Sequence, residues 1–234
     1  MLAVRSLLGL LLLNLPARLL RLALEWRRSR KRVILRLRLS GQVVEERGGR
    51  GVGLIRQGQL HLGSLLRLLR QAGQDPSVEA VALYIGSLQA GWAQLEEIRE
   101  AIALLRERGR TVHAYLERPG HAEYFLATAC DRIATSPLTS LGIVGLRSEV
   151  TFFKGAMDLL GVQAHFEAAG EFKSFGEPFT RDRMSEPYRE SLDFVLSALH
   201  RSFVEGVAAG RGLEAEAVQA QVDQGPWSAE EALA

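Results

Sequence analysis

One lysine in this chain has neighbours that can change its chemistry. Lys173 stands between Phe172 and Phe175, in the stretch 170–185 that precedes a long helical pattern. A lysine amine held away from water loses preference for its charged form, accepts a proton near neutral pH and can then activate a serine hydroxyl. The competing interpretation is a solvated loop cation whose stem lies along the neighbouring rings. Lys173 is therefore a candidate general base.

Other polar residues of the same stretch could support that amine. Ser174 is expected to be a hydrogen-bonding helper rather than a nucleophile, because adjacent residues of an extended segment point apart. Glu177 could pair with Lys173 or with Arg181, and the sequence does not choose between them. Arg181 and Asp182 fit an ion pair at a subunit contact as well as a solvated loop.

Length and composition indicate a globular α/β protein. The 234 residues, 47% hydrophobic and 24% charged, suffice for one large domain or for one domain with an anchor. Cys130 is the single cysteine, lies in an apolar pattern and is expected to pack in the core. No cysteine pair or His/Cys cluster has the spacing of metal ligands, so neither a metal nor a cofactor is implied.

Charge is distributed unevenly along the chain. Residues 1–40 contain ten Arg or Lys side chains and one acid, although the whole chain has a net charge of only +2. The remaining residues therefore carry an acidic excess. This division argues against a nucleic-acid-binding body and favours a basic head that meets anionic lipid.

The first 32 residues are predicted to be a membrane anchor or an interfacial helix. Ser6–Leu15 is almost wholly apolar, but ten residues are too few to span about 30 Å of hydrocarbon as a helix. Two interpretations remain open: a signal-anchor whose arginines reach the interface, and a helix lying in the interface with its basic flank at the headgroups. A buried core helix is a third. The basic run at 27–32 follows the apolar segment, so the charge rule leaves the side of the membrane open.

Hydrophobic periodicity in the first part of the body predicts alternating strands and helices. Strands are expected at Val33–Leu39, Val78–Ile85 and Thr111–Leu116, with helices at 61–71 and 92–108. This order implies right-handed crossovers and a parallel sheet covered by helices.

The second part continues the pattern with helices at 121–130, 152–160, 185–209 and 214–222 and strands at 132–134 and 162–168. The helix 185–209 is expected to turn five apolar side chains toward the core: Leu192, Val195, Leu196, Leu199 and Phe203. No linker divides residues 33–234, so they are predicted to form one domain.

The lysine stretch, G-E-F-K-S-x-x-E-P-F-x-R-D-x-M-S, resembles the lysine-bearing segment of the signal peptide peptidase A family, also called protease IV. Its members are serine-lysine membrane proteases of peptidase family S49. Similar matches begin at Asp75 (D-P-x-V-x-A-V-A-L), Tyr124 (Y-F-L-A-T-A-C-D-R-I-A-T-S-P), Leu141 (L-G-I-V-G) and Gly225 (G-P-W-S-A-E-E-A-L). The resemblance covers roughly residues 33–234 and implies the ClpP/crotonase fold. The chain stops at Ala234 inside the last matched stretch, so this domain is expected to be truncated at its C-terminal end.

Two departures from the family pattern bear on the mechanism. His121 stands where single-domain members carry the nucleophilic serine. Ser87–Gly91 replaces the family's S-P-G-G turn, which supplies oxyanion donors, and leaves Gly91 as a candidate support. The resemblance therefore implies the amino-terminal half of a two-domain member. In such a protein, Lys173 is the general base and the serine comes from the carboxy-terminal S49 domain.

The same resemblance implies partners and a location. We expect leader or membrane-derived peptides as substrates. We also expect self-association into a homo-oligomer and association with the bacterial inner membrane, and we expect no binding of nucleic acid.

Three other functions remain as alternatives. The first is a catalytically inactive S49-like scaffold, which His121 and the lost glycines favour. The second is a Ser-His-Asp hydrolase that would use His121 or His113, Asp131 and one serine, although no G-x-S-x-G elbow is present. The third is a crotonase-type acyl-CoA enzyme, which shares the fold but has no use for the lysine stretch.

Overall fold

The computed structural model describes residues 32–45, 59–167 and 169–233. These residues form two compact units. Unit 1 contains the described residues up to Ser140 together with 228–233, and unit 2 contains Leu141–Trp227. The predicted division into an anchor at 1–32 and a domain at 33–234 stays a prediction, because residues 1–31 lie outside the described part of the chain.

Unit 1 is built on a five-stranded parallel sheet. The strand order is β2-β1-β3-β4-β5. The bounds are β1, Val33–Val44; β2, Gln59–His61; β3, Val78–Gln89; β4, Thr111–Leu116; and β5, Arg132–Thr135. The predicted α/β class with a parallel sheet is confirmed, and it is the arrangement that the ClpP/crotonase resemblance implied. Both β1 and β3 run several residues beyond their predicted ends.

Three helices of unit 1 connect these strands: α1, Leu62–Gln74; α2, Trp92–Glu107; and α3, His121–Ala127. The helices pack on the strand side chains that are buried, such as Leu83, Ile85 and Val112. Within the strands these buried residues alternate with half-buried or exposed ones, as expected when one face of a sheet meets helices. Helix α2 ends before Gly109, whose φ of 74° is a conformation that glycine adopts easily.

Unit 2 is mainly helical. It contains α4, Lys154–Leu159; a 3-10 helix, Ser174–Gly176; α5, Glu177–Thr180; α6, Glu186–Arg211; and α7, Ala215–Gln224. Ser185 caps α6, since its Oγ accepts the Tyr188 N–H at 3.3 Å, and Gly212 ends the helix with a φ of 66°. Two-residue strands at Ser140–Leu141 (β6) and Trp227–Ser228 (β7) lie where the chain passes between the units.

Two predictions for unit 2 are wrong. Residues 162–167 form no strand, because they have no neighbouring strand to pair with among the described residues; Ala168 lies outside them. On α6, Phe203 is buried as predicted, but Val195 is 50% exposed and Leu192, Leu196 and Leu199 are only half-buried. The buried part of the helix is its last turns, with Val204, Val207 and Ala208, near the buried Val218 and Val222 of α7.

The predicted membrane helix falls on residues outside the described part of the chain. Of the helices that the structure describes, none combines the length and the apolar character needed to cross a bilayer.

Candidate active site

Lys173 lies at the start of a short helical segment in unit 2. It occupies the cap position of the 3-10 helix Ser174–Gly176, and its backbone N–H donates to the Gly170 carbonyl at 3.3 Å. The Lys173 side chain is exposed, whereas Ser174 is buried. The two side chains therefore differ sharply in their access to water, and exclusion of water from the amine requires a further surface to cover it.

Phenylalanine rings surround this segment and remain largely exposed. Phe166 stacks on Phe179 with ring centroids 5.8 Å apart, Phe153 stacks on Phe179 at the same distance, and Phe175 meets Phe166 edge-on at 6.3 Å. Phe175 is 85% exposed and Phe172 is 52% exposed. Contiguous exposed apolar side chains mark surfaces that meet another molecule. Lys173 thus belongs to a segment whose phenylalanine rings form part of an exposed apolar surface.

Glu177 resolves the pairing question that the sequence left open. Its Oε2 accepts the Ser185 N–H at 2.9 Å, and its Oε1 accepts the Ser185 hydroxyl. Among the described residues neither Lys173 nor Arg181 forms an ion pair with it, although Arg181 is near enough to stabilise its charge. The carboxylate therefore joins the lysine segment to the first residue before α6.

His121 occupies the position that the family resemblance matches to the nucleophilic serine. It is the first residue of α3, directly after the cap residue Gly120, and it is half-buried. No hydroxyl group stands at this turn, since the residues from Pro119 to Glu123 are Pro, Gly, His, Ala and Glu. Unit 1 therefore has no nucleophile at the matched position.

Backbone donors at the carboxyl end of β3 are already engaged by the chain's own side chains. The Leu88 N–H donates to Glu123 Oε1 at 2.7 Å, and the Gly120 N–H donates to Glu123 Oε2 at 3.1 Å. The Gly91 N–H donates to Gln94 Oε1 at 2.9 Å and so caps α2. An oxyanion hole needs donors that are free to meet a developing negative charge. In this chain a buried carboxylate holds the Leu88 donor.

Sequence reasoning missed Glu123, although a signal for half of its role was present. A glutamate three residues after the cap residue can accept the N–H of that residue, as in the second half of a capping box, and this predicts the contact to Gly120. The contact to Leu88 joins residues 35 positions apart and depends on the parallel sheet bringing the end of β3 to the start of α3.

We expect Glu123→Ala to destabilise unit 1 by about 1–3 kcal/mol, since the Leu88 N–H would lose its acceptor in a partly buried site. Glu123→Gln keeps one amide oxygen as an acceptor and should cost less. Urea unfolding measures the difference, with Glu97→Ala, an exposed glutamate of α2, as the control. Equal stability of the Glu123→Ala and control variants would show that the carboxylate does not hold these donors.

The components of the alternative Ser-His-Asp hydrolase have structural contacts. Asp131 Oδ2 accepts the Val112 N–H at 2.7 Å, and its Oδ1 pairs with Arg106 Nε at 2.8 Å. Burial opposes ionisation of Asp131, but these hydrogen bonds outweigh it and hold its pKa below the usual range. Asp131 thus ties β4 to α2. Burial raises the pKa of the Cys130 thiol to about 12, as fits core packing rather than reactivity.

The structure brings together only part of the predicted set. Lys173, Ser174 and Glu177 lie in one segment of unit 2, while His121 and Gly91 lie in unit 1. Ser185, which the sequence indicated only as the start of a helix, joins the first group through Glu177. The role of each as a catalytic or supporting residue stays a prediction.

Comparisons with known proteins point to one family. The family model of peptidase family S49 matches residues 105–234. The chain is 29% identical over 208 residues to "Serine protease SPPA, chloroplastic" of Arabidopsis thaliana, covering 89% of this chain and 30% of that protein. It is 28% identical over 151 residues to "Protease 4" of Haemophilus influenzae, covering 64% of this chain and 25% of that protein.

The chain thus spans less than a third of the length of these two relatives. A solved structure of a membrane-bound stomatin-specific protease is similar with a TM-score of 0.46 and 16% identity, over 87% of this chain and 76% of that one.

Proposed function

Since the chain belongs to peptidase family S49, we propose that it contributes the general-base half of a serine endopeptidase site. Lys173 is the base, and the serine comes from a second S49 domain outside these 234 residues. The observation that carries the proposal is the position of Lys173: it is exposed at the start of a short helical segment, between the exposed Phe172 and Phe175 in the sequence. A covering domain would bury those rings and remove water from the amine together.

The chemistry follows from a neutral amine beside a hydroxyl. Lys173 Nζ takes the serine proton as Oγ attacks the scissile carbonyl, and the resulting ammonium returns a proton to the leaving amide nitrogen. A water molecule then attacks the acyl-enzyme, again with the amine as base. Oxyanion donors for this reaction are assigned to the serine-bearing domain, because in this chain Glu123 holds the Leu88 N–H and Gln94 holds the Gly91 N–H.

Reconstitution tests this division of roles. The chain alone should not cleave leader-like peptides, whereas the chain joined to a serine-bearing S49 domain should. Hydrolysis by the chain alone would contradict the assignment of the nucleophile to another domain.

A scaffold function is the second candidate, and the engaged donors at Leu88 and Gly91 favour it. A scaffold and a half-site both leave the isolated chain inactive, but they differ in the complete protein. If the serine-bearing domain cleaves peptides equally well with Lys173 replaced, the chain serves only for assembly.

Membrane association is part of the proposal and rests on residues 1–32. Eight of the ten basic side chains of the first 40 residues lie within 1–32 and would meet anionic headgroups, while the leucine-rich run enters the bilayer or its interface. We expect the full chain to sediment with vesicles that contain anionic lipid, and a variant lacking residues 1–32 to remain in the supernatant. Equal sedimentation of the two proteins would show that residues 1–32 do not bind the membrane. The substrates are proposed to be leader or membrane-derived peptides, and the assembly a homo-oligomer.

A further inference from the structure

The segment that carries Lys173 is closed by one side-chain contact. Glu177 accepts two hydrogen bonds from Ser185, one from its backbone N–H at 2.9 Å and one from its hydroxyl. The Ser185 hydroxyl in turn accepts the Tyr188 N–H at 3.3 Å, in the first turn of α6. The carboxylate therefore fastens the loop between residues 177 and 185 to the beginning of a 26-residue helix.

Backbone hydrogen bonds connect Lys173 to this fastening point. The Glu177 N–H donates to the Ser174 carbonyl, which closes the 3-10 helix that begins after Lys173. The Arg181 N–H then donates to the Glu177 carbonyl at 2.8 Å, and the Thr180 hydroxyl donates to the Gly176 carbonyl at 3.0 Å. Residues 174–180 are thus one continuous helical piece, so a displacement of Glu177 displaces the backbone of the lysine with it.

Glu177 is held as an anion in this place. Burial opposes its ionisation, but the hydrogen bonds from Ser185 and the nearby Arg181 charge outweigh that effect and lower the pKa of the Glu177 carboxyl. The contact also requires two acceptor oxygens, because the Ser185 N–H and the Ser185 hydroxyl both act as donors. A glutamine at position 177 would offer one amide oxygen and turn an NH₂ group toward the second donor.

We propose that Glu177 is a positioning residue that fixes Lys173 relative to α6 through Ser185. This inference rests on the proposed function, because it assigns a task to the backbone that presents the general base. The Lys173 side chain itself is exposed and has rotational freedom, so the fixed backbone is what limits the volume that its amine samples. A displacement of about 1 Å at a reacting group can lower a rate by about 100-fold.

The kinetic test uses the complete protein, with its serine-bearing domain, and compares Glu177→Ala, Ser185→Ala and the double variant. We expect Glu177→Ala to lower kcat by about 10- to 100-fold with KM changed by less than about 3-fold. Ser185→Ala should show part of the loss in kcat. The double variant should have the same kcat as Glu177→Ala, because the two substitutions remove the same contact. Glu171→Ala, an exposed glutamate two residues before the lysine, is the matched control and should keep full activity.

Tryptic cleavage of the chain provides a readout that does not depend on activity. Arg181 and Arg183 are exposed in the loop that the contact closes. Cleavage at these arginines should be several-fold faster in Glu177→Ala than in the wild type or in Glu171→Ala. Glu177→Asp, which keeps the charge, should restore part of the protection.

The two readouts separate the inference from the proposed function. If Glu177→Ala leaves the kcat of an active enzyme unchanged, the positioning role is overturned, whether tryptic cleavage of the chain is unchanged or faster. A complete protein whose hydrolysis does not depend on Lys173 overturns the proposed function and the kinetic part of this inference; the cleavage rates then still decide whether Glu177 holds the loop.

The lowered pKa of Glu177 also predicts the direction of a pH effect on stability. A carboxyl whose pKa is lower in the folded state stabilises the fold above its unfolded pKa, and this contribution is lost as the pH falls through the folded value. The difference in melting temperature between the wild type and Ser185→Ala should therefore be largest near pH 6–7 and shrink in acid. A difference that stays constant down to pH 2 would contradict a contact made by the ionised carboxylate.

Discussion

Lys173→Ala is expected to abolish peptide hydrolysis by the complete protein, with a loss of at least about 100-fold in kcat/KM. The reason is that the serine hydroxyl is a weak nucleophile unless a neighbouring base takes its proton. Lys173→Arg should fail as well, because a guanidinium stays protonated and cannot accept that proton. The measurement is the hydrolysis rate of a fluorogenic leader-like peptide at saturating and at limiting concentrations.

Lys154→Ala is the matched control for that experiment. Lys154 is the other lysine of unit 2 and pairs with Asp158 on α4, four residues along the helix. Its removal takes away one cation from the same unit and leaves Lys173 and the contact between Glu177 and Ser185 in place, so activity should stay within about 2-fold of the wild type. Equal losses in both variants would indicate a general effect of positive charge and would argue against a specific base.

The second large effect is expected in unit 1, where Phe125→Ala should lower the free energy of unfolding by about 3–5 kcal/mol. Phe125 is 2% exposed and stacks on Trp92 with ring centroids 4.7 Å apart. The Arg99 guanidinium lies 4.0 Å from the centre of its ring, and burial lowers the pKa of that guanidinium. Alanine would leave a cavity and remove the ring that faces a partly desolvated cation.

Urea unfolding monitored by tryptophan fluorescence measures this loss. Phe194→Ala is the control, since Phe194 is 76% exposed on α6 and its truncation should change stability by about 0.5 kcal/mol or less. A Phe125→Ala variant as stable as this control would show that the packing around α3 relaxes to fill the space. The contact of Phe125 with Trp92 would then contribute little to the stability of unit 1.

The sequence predicted most of unit 1 because its strands and helices have distinct apolar patterns. Val78–Ile85 is a nearly continuous apolar run of the length of a buried parallel strand, and the helices on either side of it have clear apolar faces. The same reasoning failed at residues 162–167, where an alternating pattern has no partner strand within the described ranges of the chain. A strand is stabilised by its neighbours, so local alternation alone did not determine the structure.

Local patterns led to the candidate residues, whose catalytic roles stay a prediction. The residue types around Lys173 pointed to Lys173, Ser174 and Glu177, and the resemblance added the lysine motif and the replacement of serine by His121. The partners of Glu177 and Glu123 were not predictable in the same way. Ser185 is eight residues from Glu177, and Leu88 is 35 residues from Glu123, so these contacts depend on how the chain turns rather than on spacing.

Position 123 connects the fold to the proposed division of labour. The Glu123 carboxylate lies where the end of β3 meets the start of α3, and its two oxygens hold the Leu88 and Gly120 N–H groups. The same contact that stabilises unit 1 removes one donor from any reacting carbonyl. We therefore propose that the oxyanion donors and the nucleophile come from another domain, and that this chain contributes Lys173, which lies in unit 2.

The central claim is that Lys173 activates a serine that another domain supplies. Covalent labelling of that serine by a fluorophosphonate tests this most directly, because labelling reports the activated hydroxyl without needing a substrate. In the complete protein, we predict rapid labelling of the serine-bearing domain with Lys173 in place and a loss of at least about 100-fold with Lys173→Met. Equal labelling rates for the two proteins would contradict the claim.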